Sequence, residues 1–326
     1  MGKKLFIGVD LGGTSIRAGV VNGKGEVLAL EKRKTHPDLG LDGVFARLTG
    51  AIERAVKTAA VKPKALGGIG VGVPGPVDQA TGMVRVAVNL GKDWKNVPLA
   101  RRLEDRLGVP AFIDNDVRVG ALGEHRHGAG QGVQDMVAVF VGTGVGGGII
   151  LGGQLRAGFR GGAGEVGHTV VNEDDGVLDA HGQPGAVEPI ASRTGMQRQV
   201  LERVAQGQKS SVPELMESLG GGRLTSRVIY EAVRQKDAVM LEVLAIAQHT
   251  LGVLAGNLVN ILDPQMIVFG GGVTERLGDR FVAPIRKVAQ AHYINKTDLN
   301  AVKIVPAALK DLSGVVGAAV LARERL

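Results

Sequence analysis

The chain has no cysteine among its 326 residues. That excludes disulfides and thiolate metal sites, and it agrees with a cytoplasmic location. Aromatic residues are scarce at 3%, too few to build the stacking platform on which single-stranded nucleic acid lies. Zinc-finger spacing is missing, as is the Walker A pattern of P-loop enzymes. The longest apolar stretch, Val239 to Leu262, is interrupted by Glu242, Gln248, His249, Asn257 and Asn260. It therefore reads as a buried core helix and not as a membrane span. Met1 to Leu5 lead straight into a strand pattern with no signal-peptide apolar region. These absences lead us to expect a soluble protein with neither a membrane nor a nucleic acid as partner.

Glycine is what the chain has in excess. There are 51, with no collagen-like period, and they cluster between apolar runs. Such clusters read as turns and ligand-approach loops, because a residue without Cβ admits conformations and contacts that others block. The formal net charge is +7, which suits an anionic small substrate as well as it would suit nucleic acid. The basic residues are scattered and do not form a run.

The chain alternates strand and helix patterns. "LFIGVD", "SIRAGVVN" and "EVLALEKRKT" read as three strands separated by Gly turns. Val44, Leu48, Ile52 and Val56 then recur at helical spacing. "ALGGIGVGVPGPVD" reads as a strand ending in a Pro/Gly turn, and "PLARRLEDRLG" as a helix closed by Gly108. "MVAVFVGTGVGGGIILGGQL" repeats the design of "LFIGVDLGGTSIRAGVVNGKG": strand, Gly/Thr turn, strand, Gly turn. Two copies imply a duplicated α/β fold with two related lobes. Helices dominate from Glu188 to Ala255, a strand "QMIVFGGGV" follows, and "SGVVGAAVLARERL" reads as a closing helix.

Three Gly loops, at 10–14, 142–148 and 270–272, each follow an apolar strand, and together they suggest a nucleotide site. Backbone N–H groups at Gly12 and Gly13 are open to phosphate oxygens, and Thr14 and Thr143 can add hydroxyl donors. Asp10 could hold a magnesium ion through water. Two matches to the dinucleotide fingerprint, from Gly142 and from Gly70, fail because neither turn opens a helix. In "VPAFIDNDVRVGALGE" an apolar strand ends in Asp114, Asn115 and Asp116 before a helical pattern. By spacing alone Asp116 is either a helix cap or an acid/base group.

Taken in order, "GVDLGGTSIRAGVV", "GVGVPGPVD", "DNDVRVGALGE", "VGTGVGGGII", "GGAGEVGH" and "IVFGGGV" resemble the ROK family of sugar kinases and regulators, most closely its bacterial glucokinases. The resemblance implies the actin-like ATPase (ribonuclease H-like) duplication, two lobes with a cleft between them. The smaller lobe would be 1–117 joined by a C-terminal helix at about 307–326, and the larger 118–306. It also implies ATP- and Mg²⁺-dependent phosphorylation of a hexose 6-hydroxyl, most similar to glucose phosphorylation, by a homodimer. Alternatives are another hexose, an N-acetylhexosamine, polyphosphate as donor, or a weak sugar binder. Repressors of the family carry a DNA-binding domain before the first Gly loop, and here that loop starts too early to leave room for one.

On this resemblance Asp116 is the catalytic base and Asp114 is structural. The sugar would meet Gly75, Asn89, Asn115, Asp116, Glu165, His168 and Glu188. The nucleotide would meet Asp10, Gly12, Gly13, Thr14, Thr143, Gly144, Gly270, Gly271 and Gly272. Hinges are expected near Asp116–Gly120 and Gly314–Gly317. Many members also hold a structural zinc with three cysteines and the histidine equivalent to His168. Here the corresponding run is "DAHGQPGAVE". His168, Asp179 and His181 supply three ligands at most, where a tetrahedral site needs four. No structural zinc is expected, and packing should hold the segment instead.

Overall fold

The computed structural model describes residues 4–179 and 182–326. His181, one of the residues weighed as a zinc ligand, lies outside them. The chain begins with strands β1 (Leu5–Leu11), β2 (Ser15–Val21) and β3 (Val27–Lys34), helix α1 (Gly40–Thr58) and strand β4 (Leu66–Val73). A small three-stranded sheet follows, of β5 (Val77–Asp78), β6 (Met83–Val86) and β7 (Lys95–Val97). It leads into α2 (Leu99–Leu107), β8 (Ala111–Asn115) and α3 (Asp116–His127). Next come β9 (Met136–Val141), β10 (Val145–Leu151) and β11 (Gln154–Leu155). Helices α4 (Val187–Ala191), α5 (Arg193–Ala205), α6 (Val212–Leu215), α7 (Ser226–Arg234) and α8 (Ala238–Leu262) form the helical region. The chain ends with β12 (Met266–Gly270), α9 (Gly272–Leu277), α10 (Asp279–His292), β13 (Lys303–Pro306) and α11 (Ser313–Arg325).

The two five-stranded sheets have the orders β3-β2-β1-β4-β8 and β11-β10-β9-β12-β13. In the first, β1 and β2 are antiparallel, and β4 and β8 add in parallel. In the second, β9 and β10 are antiparallel, and β12 and β13 add in parallel. One topology built twice is the expected duplication. Parallel strands need crossover helices, which is why the helical segments fall between them.

Each sheet has its own core. Val44, Leu48 and Ile52 of α1 are buried against Ile7, Val9 and Ile69, with Trp94 in the same cluster. In the other half, Val243, Leu251 and Leu254 of α8 join Phe269 and Phe281. Helix α8 is long and apolar enough to cross a membrane, but most of it is buried inside this fold, as its internal Glu, Gln and Asn residues suggested. Gly108 closes α2 at φ 69°, in the left-handed region expected of it.

Helix α11 packs on both α3 and the first sheet. Its approach is so close that a Cβ at Gly8 would stand 1.8 Å from the Val315 carbonyl oxygen, and one at Gly70 equally close to that of Ala318. Only glycine fits there. The lobe boundary expected at 117/118 falls within the first turn of α3, which packs on β10 as well as on α11.

Candidate active site

Strand β8 delivers Asp114 and Asn115 to the start of α3. The cap of that helix is Asn115 and not Asp116: its side-chain oxygen accepts from the N–H of Val117 at 3.0 Å and of Arg118 at 3.2 Å. Its amide donates to the Gly75 carbonyl at 3.3 Å. Asn115 therefore has its acceptor committed to the helix, and an N–H is what remains for a ligand. Gly75 holds φ 86°, and a Cβ on it would meet the Val86 carbonyl oxygen at 2.4 Å. Asp114 is fully buried, with Arg118 3.5 Å away.

Asp116 is the first residue of α3, and one of its oxygens accepts from the Val117 N–H at 2.9 Å. Burial, then the charge of Asp10, and more weakly that of Glu165, push its pKa up to about 6. Asp10, at the end of β1, is also raised, chiefly by burial, although Arg17 at 3.3 Å opposes the shift. Two buried carboxylates with raised pKa values are what a divalent cation with bound phosphates would relieve. Hard oxygen donors in this setting fit magnesium.

Asp10 and Asp116 line a cleft of ≈ 600 Å³ with Gly142, Gly271 and Gly272. An adjoining hollow of ≈ 470 Å³ is lined by Asn89, Thr143, Gly144 and Glu188. Thr143 and Gly144, expected at the nucleotide, thus stand beside residues expected at the sugar. Glu188 accepts from the Val145 N–H at 2.8 Å, so one of its oxygens holds the β9–β10 loop. Gly13 packs on Asn89, and the Gly12 N–H donates to the Ser15 carbonyl at 3.0 Å. Thr14 and Thr143 both face a smaller hollow of ≈ 240 Å³. Gly270 ends β12, a Cβ on it would meet the Phe140 ring at 2.4 Å, and Gly271 and Gly272 begin α9.

Glu165 precedes a 3₁₀ turn, Val166–His168, that ends in His168, and both side chains are exposed. His168 Nδ1 lies 3.4 Å from Asp179 Oδ2. Asp179 also accepts from the Gln183 N–H at 2.9 Å, and its own N–H donates to the Gln183 carbonyl at 2.8 Å. The segment is thus tied by hydrogen bonds and by pairing of Val170 with Ala186. Among the described residues no group of three or more His, Asp or Glu is placed to hold a metal ion.

The ROK family profile matches residues 6–325. The chain belongs to the ROK family. It is 32% identical to a glucokinase of Halalkalibacterium halodurans, over 100% of this chain and 97% of that protein. It is 34% identical to a glucokinase of Streptomyces coelicolor, over 98% of each. The crystal structure of a ROK glucokinase from Streptomyces griseus in complex with glucose and AMPPNP superposes with TM-score 0.84 at 34% identity, covering 98% of this chain and 99% of that one. ROK kinases have the actin-like ATPase fold, in accord with the duplicated sheet order.

Basic residues of this ROK cleft escaped the sequence reading. Arg17, Lys32, Arg193, Arg276 and Lys310 converge on it from five separate segments. Lys310 adopts φ 56°, a left-handed conformation uncommon for a side chain of its size. No local pattern links the five, and only the fold brings them to one cleft. Arg193 donates to the Thr143 hydroxyl at 3.0 Å, and burial lowers its pKa.

Proposed function

We propose that this ROK protein is an ATP-dependent kinase that transfers a phosphoryl group to the 6-hydroxyl of glucose. The single observation that carries this reading is Asp116, a carboxylate poised near pH 6 between the Asp10 side of the cleft and Glu165. A sugar hydroxyl is a weak nucleophile, and Asp116 accepts its proton as the oxygen attacks the γ-phosphorus. The arginines and lysines of the cleft hold the phosphates, and the Asn115 N–H, Asn89, Glu165, His168 and Glu188 orient the sugar. Asp10 would hold magnesium, which when bound neutralises charge on the phosphates. Positioning supplies more of the rate than basicity does.

Residues 1–117 with 307–326, and residues 118–306, act as two lobes that close to exclude water from the phosphoryl donor. An apolar hollow along α8, lined by Ile190, Ile246 and Val253, supports a homodimer through the larger lobe. A cytoplasmic location goes with this reading, because ATP is the donor. Turnover with ATP and Mg²⁺ across hexoses and N-acetylhexosamines tests the reading. Preference for glucose supports it, preference for another sugar reassigns the substrate, and ATP binding without any turnover makes the protein a sugar binder.

A further inference from the structure

We propose that a second cavity, behind α3, is a regulatory site for a phosphorylated sugar. It has a volume of ≈ 620 Å³ and lies between α3, the end of α11 and β11. That volume is in the range of small-molecule sites. It is separate from the catalytic cleft: Asp116 lines the cleft, whereas Asp114 and Arg118, two residues to either side, line the cavity.

The wall holds a buried charge that the protein satisfies poorly. Arg118 is 5% exposed, and its Nε has no hydrogen-bond partner. Its contacts are long, 3.4 Å to the Gly161 carbonyl and 3.5 Å to Asp114. Asp114 Oδ1 accepts from the Asn115 N–H at 2.7 Å, whereas its buried Oδ2 has the Arg118 guanidinium no closer than 3.5 Å. A buried ion pair held at such distances recovers little of its desolvation. Closely packed proteins rarely leave such a pair beside an open cavity.

The remaining lining states the chemistry of the ligand. Arg126 and Arg325 bring two further guanidinium groups, which suit the oxygens of a phosphate monoester in a bidentate way. Glu324 and Gln154 offer acceptors to hydroxyls. Arg126 pairs with Glu324 at 2.6 Å and donates to the Gly153 carbonyl at 3.1 Å, and Arg325 donates to Gln79. A phosphorylated sugar carries both halves, an anion for the arginines and hydroxyls for the acceptors.

Its placement supplies the effect. Asp114 belongs with the first sheet, Gln79 follows β5 of the small three-stranded sheet, Gln154 lies in the second sheet, and Arg118 and Arg126 belong to the helix between them. A ligand touching all of these fixes the angle between the two five-stranded sheets, and α3 carries that change to Asp116.

The test is calorimetric titration of glucose 6-phosphate into the full-length protein, with glucose and AMPPNP saturating the cleft. One further site is expected, weakened about tenfold or more by Arg126→Gln with Arg325→Gln, since charge-assisted bonds carry the binding. Turnover without added sugar phosphate should stay within about twofold of the unsubstituted protein in that variant. Gln154→Glu, at an exposed position, adds a repelling charge without removing a contact of the fold and should also weaken the site. No binding heat, or binding that none of these substitutions alters, would overturn the proposal. Inorganic phosphate binding as tightly as glucose 6-phosphate would overturn its sugar half. Because the readout is arginine-dependent binding, it stands apart from whether the protein prefers glucose as substrate.

Discussion

Glu124 and Ser313 are 189 residues apart in the chain, and inside the protein the Ser313 hydroxyl donates to the Glu124 carboxylate at 2.7 Å. The same carboxylate accepts from the N–H groups of Ala129 at 3.0 Å, Ala308 at 2.9 Å and Leu309 at 2.9 Å. Glu124 is fully buried. It fastens α3 to the segment by which the chain returns to the first sheet. Replacing it with glutamine turns an amide N–H₂ toward donors. Glu124→Gln should therefore cost about 3 kcal/mol, as loss of charge-assisted bonds and an unsatisfied donor imply. Urea unfolding reads this, and a cost within error of zero would show that other contacts hold the junction.

Asp116→Asn keeps the shape of the side chain and removes the base. Turnover should fall by about 10²- to 10⁴-fold, while sugar affinity changes little. In an Asp whose folded pKa lies above its ordinary value of 3.8, at about 6, ionisation weakens the fold as pH rises through that range. At pH 7 the variant should therefore be more stable by about 1–3 kcal/mol. Steady-state kinetics and thermal unfolding of the same preparation check both. A variant that is both active and no more stable would remove Asp116 from its role.

The pH dependence follows from the same shift. The base form of Asp116 is the minority below about 6, so kcat/KM should rise with pH and level off above that value. Glu165→Gln removes one of the charges that raise the pKa, so the midpoint should move to lower pH. A midpoint that stays put in the variant would mean the limb reports another group.

Gly8→Ala tests the seam beneath α11. A Cβ there would overlap the Val315 carbonyl oxygen, so helix and sheet must separate. The expected loss is about 3 kcal/mol, at the upper end of overpacking costs, read as a lower urea midpoint. Unchanged stability would mean that α11 shifts at no cost.

Asp179→Asn tests the contact between Asp179 and His168. The neutral amide orients His168 less firmly, so KM for the sugar should rise about three- to tenfold with kcat nearly unchanged, the signature of lost uniform binding. Protein treated with a chelator and then supplied with Mg²⁺ should keep its activity. Stoichiometric zinc needed for activity, measured by metal analysis, would reverse this account.

Local chemistry decided much of what could be read along the chain. Apolar runs bounded by Gly turns marked β1, β4, β9, β10 and β12, alternation marked β2 and β3, and helical spacing marked α1. The two strand–Gly turn–strand units announced the duplicated sheets, because turn geometry and side-chain alternation depend on near neighbours. The Asp114–Asn115–Asp116 run could be singled out for the same reason, as charge placed abruptly at a buried strand end.

Tertiary structure decided the rest, because it depends on groups far apart in sequence. The Asn115 amide finds the Gly75 carbonyl forty residues earlier, and the raised pKa of Asp116 needs Asp10 more than a hundred residues earlier together with burial in the folded chain. The five cations of the cleft, the four donors on Glu124 and the contact of His168 with Asp179 have no local signature. Electrostatic and packing energies are set by distance in space, and a linear pattern records that distance only where the chain has not yet turned.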